Sequence, residues 1–182
     1  MSVADTQKFE VAFGKAKIRY PEIQDLNIEL RLGKGLFFTM RASVKPTSLF
    51  ATKRTYVVYV NLSRKDILPA LSEDNLVGWF GHELAHIAEY ESMSNFELFV
   101  FAFKYICNLK FRFLVEKRIN AFAYNNGFAR ELLGVWKKFL SLDAMNKRYK
   151  KYIAKNYLPD WEDVRESAAL HGITKEDFES YR

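Results

Sequence analysis

Cysteine is almost missing from this chain: Cys107 is the single one in 182 residues. No internal disulfide can form, and one thiol cannot build a cysteine-type zinc site. A disulfide-stapled secreted scaffold is therefore excluded, and a reducing compartment is the simpler reading. Proline and glycine are scarce, at 4 and 8 residues. With no low-complexity stretch and no internal repeat, the chain has no long flexible linker. Long apolar runs are also lacking. The most apolar segment, Phe96 to Cys107, contains Glu97 and Lys104 and is too short to span a bilayer. It reads as a buried helix, with shallow membrane contact as the alternative. The first residues, MSVADTQKFEVAF, have no basic stretch followed by an apolar one, so no secretory signal is visible and the expected location is cytoplasmic.

What the chain does hold is aromatic and apolar mass. Hydrophobic residues make up 49% and aromatic residues 16%, including 16 Phe and 10 Tyr. That composition excludes a disordered tail and suits a single domain over residues 1–182 with a real core. The net charge of +6 mildly favours anionic partners.

Local patterns predict an α+β chain. Asp5 to Lys17 has a capping residue and places Phe9, Phe13 and Ala16 on one helical face. Leu26, Ile28, Leu30 and Leu32 alternate with polar residues, the period of a strand with one buried face. Gly33-Lys34-Gly35 then reads as a turn, with Leu36 to Val44 as the returning strand of a hairpin. Thr55 to Leu62 is β-branched and aromatic and makes a third strand.

From there the pattern is helical. Ser72 is a good N-cap with Glu73 and Asp74 in the first turn, opening a helix to about Tyr90. A second long pattern runs from Asn95 to about Asn125, stopped by Asn125-Asn126-Gly127. Further helices fit Ala129 to Leu142, Ala144 to Tyr157 and Pro159 to Leu170. Gly172 ends the last of these, and Thr174 caps a short final one.

Residues 82 to 86 read His-Glu-Leu-Ala-His. Positions i and i+4 share a helix face, so His82 and His86 can converge on one metal ion. Glu83 lies beside the first histidine and can act as general base toward a water activated by that metal, then as acid toward the leaving amine. The chain has three histidines and two are in this motif. A catalytic zinc takes three protein ligands and keeps one position open. Glu89 lies on the same straight helix and closes a tetrahedral site poorly. Glu116 is the better third ligand, because a carboxylate inside Phe113-Leu114-Val115-Glu116 must be paired or bound. Pairing with Lys117 or Arg118 is its alternative.

GHELAH, followed about thirty residues later by Glu116 on a helix of its own, resembles the gluzincin metallopeptidases. The size, the three preceding strands and the segment EKRINAFAYNNGF resemble most the minigluzincins. The resemblance covers about residues 20–130 and leaves a helical C-terminal subdomain, about 131–182, uncovered. It implies one zinc ion held by His82, His86 and Glu116, with Glu83 catalytic and a peptide or protein as substrate. It also implies an edge strand lining the cleft, for which Tyr56 to Leu62 fits. The family pattern has an Asp four residues after the zinc Glu. Asn120 stands there, and its oxygen can still accept an imidazole N–H without adding charge. Tyr124 and His171 are the candidates for a donor to the transition state. Gly78 and Gly81, inside the motif helix, imply that another element packs closely there.

Two further readings follow. Asn120 motivates a module that keeps structural zinc without turnover. Lys147, Arg148, Lys150, Lys151 and Lys155, interleaved with Tyr149, Tyr152 and Tyr157, could bring a protease to nucleic acid. An ordinary amphipathic helix with packed tyrosines is the preferred reading of that cluster.

Overall fold

The computed structural model describes residues 3–35, 38–65, 67–142, 147, 148, 150, 151, 155 and 158–180. The architecture is α+β: a small open sheet of three strands among helices. Helix α1 (Val3–Ile18) buries Phe9, Ala12 and Ala16 on one face, and Phe13 meets Phe80 edge-on at 5.5 Å. The strands follow as β1 (Asn27–Gly33), β2 (Met40–Val44) and β3 (Thr55–Asn61).

Their order is β1-β3-β2, with β1 parallel and β2 antiparallel to β3. The expected hairpin of β1 with β2 is therefore corrected: the two strands flank β3 and do not pair. The physical reason lies in β3. Its Val57, Val58 and Val60 are buried, and a strand covered on both faces takes the centre, where both edges of its backbone are hydrogen-bonded. Asn61, fully buried at its end, fixes the wide connection from β1 to β2. Its Oδ1 accepts from the Gly35 N–H at 2.8 Å, and its Nδ2 donates to the Gly35 carbonyl at 2.9 Å and the Phe38 carbonyl at 2.6 Å. The leucines and isoleucine of β1 are half-buried rather than fully covered.

Helix α2 (Glu73–Glu91) starts at Ser72 in a reciprocal capping box with Asn75. It is the central helix, buried from Phe80 through Ile87. The single long pattern expected after it divides into α3 (Asn95–Cys107) and α4 (Leu109–Ala123). Asn108 breaks it: its backbone is extended at φ −126° and ψ 101°, and its side chain caps the Phe111 N–H at 3.0 Å. α3 is also less buried than expected, with Leu98 and Phe101 its buried residues.

The Asn-Asn-Gly stop is present as a kink: Gly127 has φ 84°, and α5 (Ala129–Ser141) continues beyond it. α6 (Trp161–Leu170) begins after Asp160, two residues later than expected, and Gly172 turns at φ 67° past its end. α7 (Lys175–Glu179) carries the Thr174 cap. Val164 and Phe178 from these last helices join the same buried cluster as α1 and α2.

Glycine is required at Gly78 because a Cβ there would lie 2.6 Å from the Glu131 backbone of α5. At Gly81 it would lie 2.6 Å from the Phe128 ring. α5 thus crosses the motif helix at backbone contact. Tyr20, fully buried, adds a second clamp: its hydroxyl donates to the Gly81 carbonyl at 2.7 Å and its ring stacks on Phe128 at 5.3 Å. The middle of α2 is held rigidly from two sides.

Candidate metal centre

His82 and His86 project from one face of α2, with ring centroids 4.9 Å apart. Glu116, on α4, faces them. Its Oε2 lies 3.2 Å from His82 Nε2 and its Oε1 lies 3.7 Å from His86 Nε2. One donor atom from each residue falls within 4.8 Å of the other two, and all three side chains are buried. A tetrahedral zinc with ligands at about 2.0–2.1 Å would space its donors by roughly 3.3 Å; the 3.2 Å separation is close to that, and the 3.7 Å one, to the other carboxylate oxygen, is wider. Lys117 and Arg118 do not claim Glu116. They pair with Asp160 and Glu89 instead.

Asn120, one turn after Glu116 and fully buried, orients His82. Its Oδ1 lies 2.8 Å from His82 Nδ1. A carbonyl oxygen only accepts, so Nδ1 carries the proton and Nε2 is turned toward Glu116. His86 is held by packing, its ring stacked on Tyr90 at 5.8 Å. Its buried Nδ1 has no hydrogen-bond partner among the described residues.

The protonation states follow from burial and proximity. Burial favours a neutral His82. The hydrogen bond and charge of Glu116, followed by Glu83 and the Asn120 oxygen, outweigh it and raise the imidazole to about 9. Burial lowers His86 to about 4, leaving it neutral near pH 7. Burial also works against charge on Glu116, but His82, His86 and the Tyr105 hydroxyl hold its carboxyl down to about 2. In the protein without metal, His82 and Glu116 thus form a buried ion pair with a proton where a cation would lie.

Glu83, next to His82 in sequence, is buried beside the site. Burial pushes it up to about 7. Nearby Glu116 adds to this, while His82, the Ala42 backbone N–H and the Trp79 side chain oppose it. A carboxyl that exchanges its proton near neutrality is suited to acid–base work.

The contact with Ala42 identifies the strand beside the site. Lys45 N donates to Thr55 O and Asn61 N to Thr39 O, both at 2.8 Å. With Met40 opposite Val60, alternate residues of β2 then turn their backbone groups toward β3, and Met40, Ala42 and Val44 turn theirs to the open edge. The expectation that Tyr56 to Leu62 lines the cleft is corrected, because β3 is paired on both sides. The free edge at Glu83 belongs to β2.

Of the other predicted positions, Tyr124 is fully buried against Phe178, and its carbonyl accepts from Ser167. His171 is exposed at the end of α6, with its Nε2 3.8 Å from a Cβ built on Gly127. It is not part of the His82–His86–Glu116 group. Four contacts escape a reading of the sequence: the Tyr105 hydroxyl donating to Glu116 Oε1, Tyr90 beneath His86, and Trp79 and Ala42 on Glu83. Tyr105 precedes Glu116 by eleven residues and meets it only because α3 and α4 fold back at Asn108, so the cap at Asn108 was the available signal.

In the basic segment, Lys147, Arg148, Lys151 and Lys155 are exposed and Lys150 is half-buried, all in helical backbone. Tyr149, Tyr152, Tyr157 and much of the expected Ala144 to Tyr157 helix lie outside the described residues. Among the described residues no helix is long and apolar enough to cross a membrane. Compared with family models, curated proteins and solved structures, the chain gives no significant match, so its reading rests on its own residues.

Proposed function

We propose that the chain is a zinc-dependent metallopeptidase of the gluzincin type, with His82, His86 and Glu116 holding one zinc ion. The observation that carries this reading is the convergence of those three buried side chains beside a fourth, Glu83, whose carboxyl is raised to about 7. The residues fit the ion: two imidazoles and one carboxylate are a donor set zinc accepts, and they supply three of its four positions. When bound, zinc would supply Lewis-acid activation of water and of a carbonyl oxygen.

The chain's own residues do the remaining work. Asn120 keeps the proton of His82 on Nδ1 and so frees Nε2. Tyr105 fixes Oε1 of Glu116. Glu83 takes a proton from the attacking water and returns it to the leaving amine nitrogen. The open edge of β2 offers the backbone groups of Met40 and Val44 and the carbonyl of Ala42, whose N–H is held by Glu83, to an extended peptide, which would pair as an added strand and lie across the face of Glu83.

Metal analysis of the wild type and of His86→Ala, joined to an assay on an unstructured protein substrate, tests the reading. It expects about one zinc per chain, lost in His86→Ala. It expects cleavage that falls about a hundredfold or more in Glu83→Gln while the zinc remains. Absence of bound metal after zinc is added would overturn it. Zinc without turnover would favour the second reading, a zinc-holding module that does not catalyse. Two observations support that alternative: the neutral Asn120, and burial that leaves none of the residues His82, His86 and Glu116 more than 7% exposed.

A further inference from the structure

Helix α3 is apolar on two opposite faces. Its inner face carries Leu98 and Phe101, both buried, and Tyr105, which reaches Glu116. Its outer face carries Phe96, Phe99, Phe103 and Ile106, spaced three, four and three residues apart, so they form one stripe. These four side chains are 76%, 71%, 62% and 70% exposed, and Leu109, at 57%, continues the stripe over the turn into α4. Single exposed apolar residues are ordinary. A contiguous stripe of large ones marks an interaction surface.

The charges around the stripe select the partner. From Leu98 to Val115 there is no Asp or Glu, while Lys104, Lys110 and Arg112 lie in that span. Glu97, the one acid of α3, is turned back onto the Ser94 N–H at 2.8 Å and closes the helix cap. Lys104 and Lys110 are exposed, and the Lys104 ammonium lies 6.0 Å above the Phe111 ring. Phenylalanines on one face with lysines at their margin are the pattern of a helix that lies in a lipid interface. A second copy of the chain fits less well, since a two-fold contact between two such stripes would bring two basic margins together with no acid between Leu98 and Val115 to meet them.

We infer that the α3–α4 hairpin docks on the surface of an anionic lipid bilayer. Phe96, Phe99, Phe103 and Ile106 enter the interfacial layer, and Lys104 and Lys110 meet the headgroups. The helix lies along the surface: α3 has 13 residues, too few to cross. An interfacial helix sinks by about 5–10 Å, roughly its outer side, which leaves Phe101 and Tyr105 packed in the protein. None of the stripe belongs to the His82–His86–Glu116 group, so docking is independent of metal.

The experiment is flotation of the purified full chain with vesicles of phosphatidylcholine alone and with about a third phosphatidylserine. Binding is expected on the anionic vesicles, weakened by high salt, and much reduced on the neutral ones. Phe99→Ser with Phe103→Ser should weaken binding about tenfold or more. Lys104→Gln and Lys110→Gln should each weaken it about fivefold. These side chains are exposed, and unchanged circular dichroism would show the variants folded. A gain-of-signal variant, Phe99→Trp, should shift its emission to the blue only with anionic vesicles. Failure to float on either vesicle, equal binding to both, or binding untouched by the paired serine change would overturn the inference. A concentration-dependent dimer abolished by the serine pair, without vesicle binding, would assign the stripe to a second copy and overturn it as well.

Discussion

Metal binding at this site should release protons, and the pH dependence of affinity should report His82. In the metal-free protein His82 is raised to about 9, chiefly because Glu116 overcomes the effect of burial. At pH 7 its Nε2 therefore carries a proton in roughly 99% of molecules. A cation must displace that proton, so the apparent affinity at pH 7 lies about a hundredfold below its high-pH limit. It should rise about tenfold per pH unit and level off near pH 9. His86, at about 4, and Glu116, at about 2, are already deprotonated at pH 7 and add no slope there. Glu83, at about 7, adds a fraction of a second proton when a cation settles beside it.

The same shift sets a stability signature with a definite sign. A histidine raised in the folded state stabilises it fully below its unfolded value, about 6.5, and that contribution is lost as pH rises through 9. The metal-free protein should thus lose stability between about pH 6.5 and 9 from this group, while the stabilisation gained from zinc grows over the same range. Calorimetric titration of zinc in buffers of different ionisation enthalpy measures the proton count, and thermal melts with and without zinc measure the stability. An affinity flat between pH 6 and 9, with no proton released, would refute the ion pair between His82 and Glu116.

Glu116→Ala should weaken zinc binding more than Asn120→Ala, which is expected to cost about 10–100-fold; equal losses in a competition titration would remove Glu116 from the ligand set. Tyr105→Phe deletes the hydroxyl donated to Glu116 Oε1 and should weaken zinc by about tenfold with stoichiometry unchanged, read in the same titration. Gly78→Ala places a methyl 2.6 Å from the α5 backbone and should destabilise by about 1–3 kcal/mol in urea, despite the better helix propensity of Ala; a gain in stability would show that α5 yields.

What could be read from the sequence was what is local. His82, Glu83 and His86 share one capped helix, so their spacing specifies their geometry. Glu116 stood out because a carboxylate in an apolar stretch needs a partner, and the partner it finds is the histidine pair. The strand segments were visible, but their neighbours were not, since alternation gives a strand its face and leaves its place in a sheet open. The signal for the centre was the unbroken apolar run of β3. The break at Asn108 was hidden because apolar spacing continues across it, although Asn is a strong cap. Ala42 and Tyr105 reach the site through tertiary packing of β2 and α3, which no local spacing encodes, whereas Trp79 and Tyr90 lie on α2 itself, one turn from Glu83 and from His86.

The neutral residue at 120 bears on the balance between proton and metal. His82 already faces two carboxyl groups, Glu116 at 3.2 Å and Glu83 next to it in sequence, and together they hold a proton on it up to about 9. A carboxylate on Nδ1 in place of the Asn120 oxygen would add a further negative charge and bind that proton more tightly still. It would also raise the basicity of the imidazole toward zinc, so both competitors would gain. Asn120 keeps the orienting hydrogen bond at 2.8 Å and omits the charge. The buried site then carries one firmly ionised carboxylate, Glu116, against the ion, and Glu83 stays free to exchange its proton near neutrality. An acid at 120 would couple electrostatically to Glu83 as well and push it further upward, away from its working range. Asn120→Asp should therefore shift the pH at which zinc affinity levels off upward, whereas a purely geometric role for residue 120 would leave it unchanged.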